Sequence, residues 1–170
     1  MSTITGHTGL TALLGSPVAH SISPLMHNEA FRLLELDYVY LCFDVNEETL
    51  PAAVAGLKTC GIRGFNLTMP NKNKIVELLD ELSPEAQLIG AVNTVLNDNG
   101  KLIGYNTDGY GFMQSVRDAG HDVTNEKYHS YGRRWSFYGN LCSVCSGWCQ
   151  FRTYLRTPYQ QILEPYSEIC

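Results

Sequence analysis

Leu10-Thr11-Ala12-Leu13-Leu14-Gly15 runs directly into Ser16-Pro17-Val18-Ala19-His20-Ser21-Ile22-Ser23-Pro24, and this stretch decides the fold. An apolar run of that length closed by glycine suits a buried strand better than a helix. Ser23 and Pro24 then open a helix. Serine is a favoured N-cap, and proline suits the first helical position because the N–H it lacks has no intrahelical partner there. Met26, Ala30 and Leu33 give that helix an apolar face, widened by Leu34.

Working outward, the alternation continues. Tyr38 to Val45 is rich in aromatic and β-branched residues and predicts a second strand. A helix from about Thr49 to Lys58 follows, with Pro51 in its first turn. Ile62 to Leu67 is a third strand, Asn71 to Leu79 a third helix, and Ser83-Pro84 the start of a short one. Ala91 to Leu96 and Leu102 to Tyr105 flank Asn97-Asp98-Asn99-Gly100, whose Asn-Gly pair marks a tight hairpin turn. Thr107 to Ala119 is a last helix, ended by Gly120. Strands alternating with helices predict an α/β domain around a largely parallel sheet flanked by helices, carrying one hairpin.

The composition narrows the function classes. With 170 residues, 44% hydrophobic and 17% charged, the chain is an ordinary globular sequence of one domain's worth. A formal net charge of −5 and the lack of a basic cluster argue against nucleic acid. No run of 18 apolar residues predicts a membrane span, and the start has no secretory signature, so a cytoplasmic location is expected. Cys42 and Cys60 sit in apolar sequence and are expected to be reduced core residues.

A break falls near Tyr128. Residues 128–170 hold 10 of the 18 aromatics, both tryptophans (Trp135 and Trp148) and four of the six cysteines. They follow neither a helical nor a strand period.

Four polar loop clusters fall where strands end, which is where open α/β sheets bind ligands. They are Ser21-Ile22-Ser23-Pro24, Asn66-Leu67-Thr68-Met69-Pro70-Asn71-Lys72, Gly90-Ala91-Val92-Asn93-Thr94 and Asn106-Thr107-Asp108-Gly109. Each has a plain structural reading: Ser23 as a cap, Asn93 as a turn residue, Asp108 as a carboxylate favoured at a helix start. Lys72 fits less easily. In the first turn of a helix opened by Asn71, its charge opposes the dipole by about 0.3–1 kcal/mol, and the same field favours proton loss. Serines, a threonine, amides, a lysine and an aspartate would together suit a small polyhydroxylated acid. Spacing does not name it.

Taken together and in order, these four blocks, with Met26-His27-Asn28 after the first, resemble the shikimate dehydrogenase family over about residues 7–125. Met69-Pro70-Asn71-Lys72 and the Asn97–Gly100 turn resemble its quinate/shikimate dehydrogenase branch. The resemblance implies a substrate-binding domain over residues 1–106 and a linking helix over 107–127, toward a nucleotide domain. It implies reversible NAD(P)-dependent oxidation of shikimate or quinate to the 3-dehydro ketone, with NADP or NAD as cofactor. By the same resemblance Lys72 and Asp108 are the catalytic pair, Ser21, Ser23 and Thr68 hold the substrate carboxylate, and Asn93 binds a ring hydroxyl.

The departure from the family follows Asp122-Val123. A strand and a glycine-rich turn should cradle the cofactor's pyrophosphate there, yet no G-x-G-x-x-G occurs. Residues 128–170 are therefore expected to be an aberrant, frameshifted remnant of the NAD(P)-binding domain. No intact Rossmann nucleotide domain is expected, and the truncated chain should have little or no turnover. The alternative is a non-catalytic module that binds a small polyhydroxy acid without cofactor. Cys142-x-x-Cys145 with Cys149 lacks the further ligands of a zinc site, so no metal is expected. Exposed apolar surface on the sheet, and hence self-association, is also expected.

Overall fold

β1 (Gly9–Gly15) is the first strand and lies one place in from the edge of the sheet. The computed structural model describes residues 4–121, 127–128 and 150–151 and divides into two units, Met1–Asn106 and Thr107–Cys170. In the first unit β2 (Tyr38–Asp44), β3 (Gly64–Leu67), β4 (Glu81–Leu82), β5 (Thr94–Asp98) and β6 (Lys101–Tyr105) join β1. The sheet order is β2-β1-β3-β5-β6-β4. β1 pairs parallel with β2 and β3, and β4 pairs parallel with β6. Only β3–β5 and the β5–β6 hairpin are antiparallel. The sheet is mixed and largely parallel, as expected.

Period-two alternation sends Leu10, Ala12, Leu14, Phe65, Leu67, Val95 and Leu102 to one face. There they pack with Leu50 and Val54 of α2 (Leu50–Thr59), Ile75 of a 3-10 helix (Lys74–Leu78) and Ala86 of α3 (Pro84–Ile89). Leu14, Leu50, Ile62, Ile75 and Leu102 are fully buried, each burial stabilising by about 1.5–3 kcal/mol. The opposite face carries a smaller cluster of Leu13, Val18 and Tyr40, packed by Phe31 of α1 (Ser23–Leu33) and by Cys42.

Several expectations need correction. α1 does not begin on a serine cap: Ser23 is already helical, Ile22 precedes it with helical backbone, and no side chain caps the start. Nor does α1 bury Met26, Leu33 or Leu34, which are exposed together with Ile22 and Leu25. Its inward side is His27, Asn28 and Phe31, because the neighbouring edge strand offers the Tyr40 ring and peptide to those positions. Exposed apolar side chains therefore gather on α1, and among the described residues of the six-stranded sheet Leu41 is the large apolar side chain that joins them. The helix expected from Asn71 to Leu79 shrinks to the five-residue 3-10 helix. Asn71 bonds back to Val45 O, while Leu79 is extended and Asp80 N–H donates to Leu102 O, drawing the chain into β4. Cys60 is exposed, not core.

Other readings hold. Ser83 Oγ accepts from Ala86 N–H and caps α3. The hairpin turns on Asn99 and Gly100, both with positive φ (52° and 91°), as an Asn-Gly turn requires. In the second unit α4 spans Asp108–Asp118 and stops before Gly120, whose φ is 82°. β7 (Lys127–Tyr128) pairs in parallel with β8 (Gln150–Phe151). The rest of residues 128–170, including Cys142, Cys145, Cys149 and Cys170, lies outside the described residues. No helix among the described residues is long and apolar enough to cross a membrane.

Candidate functional site

Because β1 and β3 are parallel, both end on the same edge of the sheet, and the antiparallel β5 begins there, with Asn66 opposite Thr94. Three loops consequently converge: Ser16–Ile22 after β1, Thr68–Asn73 after β3, and Gly90–Asn93 before β5. Backbone hydrogen bonds lace them together. Ser16 N–H donates to Met69 O (3.0 Å), Leu67 N–H to Asn93 O (2.9 Å), and Val92 N–H to Lys72 O (2.8 Å). The backbones of Thr68, Lys72 and Asn93, far apart in sequence, are thus held beside one another.

Ser21, Ser23 and Thr68 line one open cavity of about 500 Å³, joined by Ser16 and His20. Ser23 N–H donates to Ser21 Oγ (3.2 Å), so the first serine is oriented by the start of α1. Four hydroxyls, an imidazole and the positive end of an 11-residue helix face this space. Among the described residues lining it there is no carboxylate. That combination favours an anion with several acceptor oxygens. Gly15 is required here: a β-carbon on it would collide with Thr68 Cγ2.

Beside the cavity runs an amide-rich network. Tyr40 O–H donates to Asn66 Oδ1 (2.8 Å), Asn66 Nδ2 donates to Thr94 Oγ1 (3.1 Å) and Asn93 O (3.3 Å), and Thr94 O–H donates to Asn93 Oδ1 (3.0 Å). Burial pushes the Tyr40 phenol well above its ordinary range, with the Cys42 charge adding to it, so the hydroxyl keeps its proton. His27 stacks on the Tyr40 ring at 4.2 Å, and burial lowers its imidazole below the ordinary value. Asn93 N–H donates to Tyr105 O, and Asn106 Nδ2 to Ala91 O, which sets the loop against the end of β6.

Lys72 lies ahead of the 3-10 helix, which begins at Lys74, so the dipole argument made for it has no helix to act through. Asp108 is the first residue of α4, in the second unit. Sequence reasoning missed Ser16 and His20 as lining residues, and Tyr40, Asn66 and Thr94 as a network. Asn66 carried a signal. An amide in the middle of a strand is disfavoured there and is kept only with partners.

Residues 13–95 match the shikimate dehydrogenase substrate binding domain. The chain carries a shikimate dehydrogenase substrate binding domain. It is 61% identical over 117 residues to a shikimate dehydrogenase (NADP(+)) of Alkaliphilus metalliredigens, covering 69% of this chain and 41% of that one. Against the Listeria monocytogenes shikimate dehydrogenase (NADP(+)) it is 53% identical over 124 residues, 73% of this chain and 43% of the other. The chain thus spans about two-fifths of the length of these curated relatives. A crystal structure of Listeria monocytogenes shikimate 5-dehydrogenase in complex with shikimate and NAD superposes with a TM-score of 0.88. That match covers 99% of this chain and 59% of the other at 40% identity.

Proposed function

We propose that the first unit is the acid-binding half of a shikimate dehydrogenase, which oxidises shikimate or quinate reversibly to the 3-dehydro ketone with NADP or NAD. The carrying observation is the cavity in which Ser21, Ser23 and Thr68 converge beside a helix start without a lining carboxylate. In this reading those hydroxyls take the substrate carboxylate, Asn93 takes a ring hydroxyl, and Lys72 and Asp108 exchange the proton of the reacting alcohol. These assignments rest on the cavity for the first group and on the family's sequence blocks for Asn93, Lys72 and Asp108. A soluble, cytoplasmic enzyme of small-acid metabolism is the matching cellular setting.

The nicotinamide does not fit the described residues. Among them α1, α2 and α3 open on proline in their first turn, and α4 opens on Thr107-Asp108, so no glycine-rich turn is available to a pyrophosphate. The sequence after Val123 has no G-x-G-x-x-G either, and on that ground we expect binding of the acid with little or no turnover by this chain, residues 128–170 being an aberrant remnant of the NAD(P)-binding domain.

Calorimetric titration tests this. Shikimate or quinate should bind, and Thr68→Val or Ser21→Ala should weaken binding about 3- to 10-fold, the value of one hydrogen bond. A flat titration with both acids would refute the reading, and NADP reduction by the purified chain would refute the expected lack of turnover.

A further inference from the structure

Gly15 and Thr68 are the next pair after Leu14 and Leu67 along the parallel β1–β3 register, and neither backbone is free to shift. Thr68 N–H donates to Leu14 O (3.0 Å), Ser16 N–H to Met69 O (3.0 Å), and Val45 N–H to Gly15 O (2.9 Å). The point where a side chain at position 15 would begin is taken by the Thr68 methyl, Cγ2, with Met69 O 3.0 Å and Val18 Cγ1 3.2 Å from that point. Val18 is buried, so the Thr68 methyl sits in an apolar nook that exists because residue 15 is bare. The hydroxyl points elsewhere. Among the described residues Thr68 Oγ1 has no hydrogen-bond partner, and the buried side-chain atom left without one is Asn71 Oδ1. The Thr68 hydroxyl is therefore open, on the cavity that Thr68 lines.

A threonine β-carbon carries its methyl, hydroxyl and hydrogen in a fixed cyclic order, and χ1 holds them in staggered places. Of the two rotations that take the methyl off residue 15, one brings the hydroxyl there instead, into the same collision. The other brings the hydrogen there and puts the methyl in the place the hydroxyl leaves. A side chain at 15 thus leaves Thr68 the rotamer that offers a methyl where an anion needs a donor.

We infer that Gly15 is a positioning residue for acid binding: its missing side chain seats the Thr68 methyl and so turns the Thr68 hydroxyl into the cavity that takes the substrate carboxylate. The inference rests on the shikimate-binding reading above for the identity of the acid. A merely structural glycine would affect stability and leave the hydroxyl where it was.

The test is shikimate titration of a set of variants, with the Thr68 χ1 rotamer read from the three-bond couplings of its methyl carbon by NMR of the whole chain. In the ligand-free protein the couplings should report a single rotamer, and Gly15→Ala should change it. Gly15→Ala should weaken shikimate binding about 3- to 10-fold, the loss of one hydrogen bond. In a Thr68→Val background, with no hydroxyl to turn, the same change should alter binding by less than about twofold. Thr68→Ser removes the methyl and keeps the hydroxyl, so the Gly15→Ala/Thr68→Ser double variant should bind within about twofold of Thr68→Ser alone, the second substitution undoing the effect of the first. Equal losses from Gly15→Ala with and without the Thr68 hydroxyl, no recovery in the serine double variant, or unmoved Thr68 couplings would overturn the inference. If Gly15→Ala does not fold, the unaltered chain decides: couplings averaged over rotamers overturn the inference, and a single rotamer with a cross-relaxation peak between the Thr68 and Val18 methyls supports it. Should the unaltered chain bind no shikimate, the functional reading falls, and the seating of Thr68 is judged by the couplings alone.

Discussion

Asn28 closes the open side of the sheet, and its removal should be costly. β2 is an edge strand, and an edge peptide without a neighbour normally bonds water or another chain. Here the Asn28 amide takes that neighbour's place. Tyr40 N–H donates to Asn28 Oδ1 (2.9 Å), and Nδ2 donates to Tyr40 O (2.9 Å) and to Pro24 O (2.7 Å). Asn28→Ala deletes all three. At about 1 kcal/mol net per bond, the loss is about 2–3 kcal/mol. For a folding unit of about 100 residues, each kcal/mol lowers Tm by about 4–8 °C, so the midpoint should fall by about 8–24 °C in calorimetry. Hydrogen exchange gives a local check: the Tyr40 amide should be protected in the unaltered chain and exposed in the variant. Because α1 carries the serine loop, shikimate binding should weaken in parallel. A Tm change below about 2 °C, or a Tyr40 amide that already exchanges as freely as an open edge amide, would refute the reasoning.

Three further outcomes follow from single contacts. Gly15→Ala forces a β-carbon into Thr68 Cγ2 and within 3.0 Å of Met69 O; overpacking of about 1–3 kcal/mol should appear in urea melts, with a drop in acid affinity as Thr68 is displaced. Gly100→Ala meets no atoms, but its φ of 91° remains, so a backbone cost of about 1–2 kcal/mol should appear with ligand affinity unchanged. His27 is held neutral by burial, its folded value lying below the ordinary 6.5. The unfolded chain therefore takes up a proton first on acidification. Stability should be complete above 6.5 and erode as pH falls through it toward the lower folded value, an erosion that His27→Gln removes from the pH profile of Tm.

Element type was legible wherever side-chain period and punctuation agreed. Leu10–Gly15, Tyr38–Val45, the Thr49–Lys58 helix, the Ser83 cap and the Asn-Gly hairpin appear within a residue or two of where the pattern puts them. What failed was decided by tertiary partners. On α1 a hydrophobicity count favours Met26, Leu33 and Leu34, but the edge strand presents a phenol ring and a bare peptide. These select His27 and Asn28, which no hydropathy pattern would send inward. The Asn71–Leu79 segment has a helical composition, yet Asn71 is bound to the end of β2 and Asp80 to β6, leaving room for only a 3-10 turn between them. The hydroxyls of the cavity were visible as motif residues. The network behind them was not, because its Tyr40–Asn66 and Asn66–Thr94 links span 26 and 28 residues and only the sheet register places Asn66 opposite Thr94.

We propose that a shift of reading frame accounts for the break in composition near Tyr128. Against the Listeria monocytogenes proteins, identity is 53% over 73% of this chain by sequence but only 40% over 99% by structure. The added residues bring almost no identities, which an ordinary divergent domain would not do so abruptly beside a well-matched one. A shift of reading frame does this at a single position. The Arg134–Cys142 segment can be encoded so that starting one base later yields Gly-Gly-Ala-Ser-Thr-Ala-Ile-Cys, a small-residue turn entering a helix of the kind a pyrophosphate needs. The single codon of Trp135 forces a glycine in that frame. The coding DNA should therefore read, one base out of register after about Lys127, as a strand, a glycine-rich turn and an amphipathic helix. Codons for residues 134–142 incompatible with that text would eliminate the frameshift, and the tail would then have to be a sequence of independent origin.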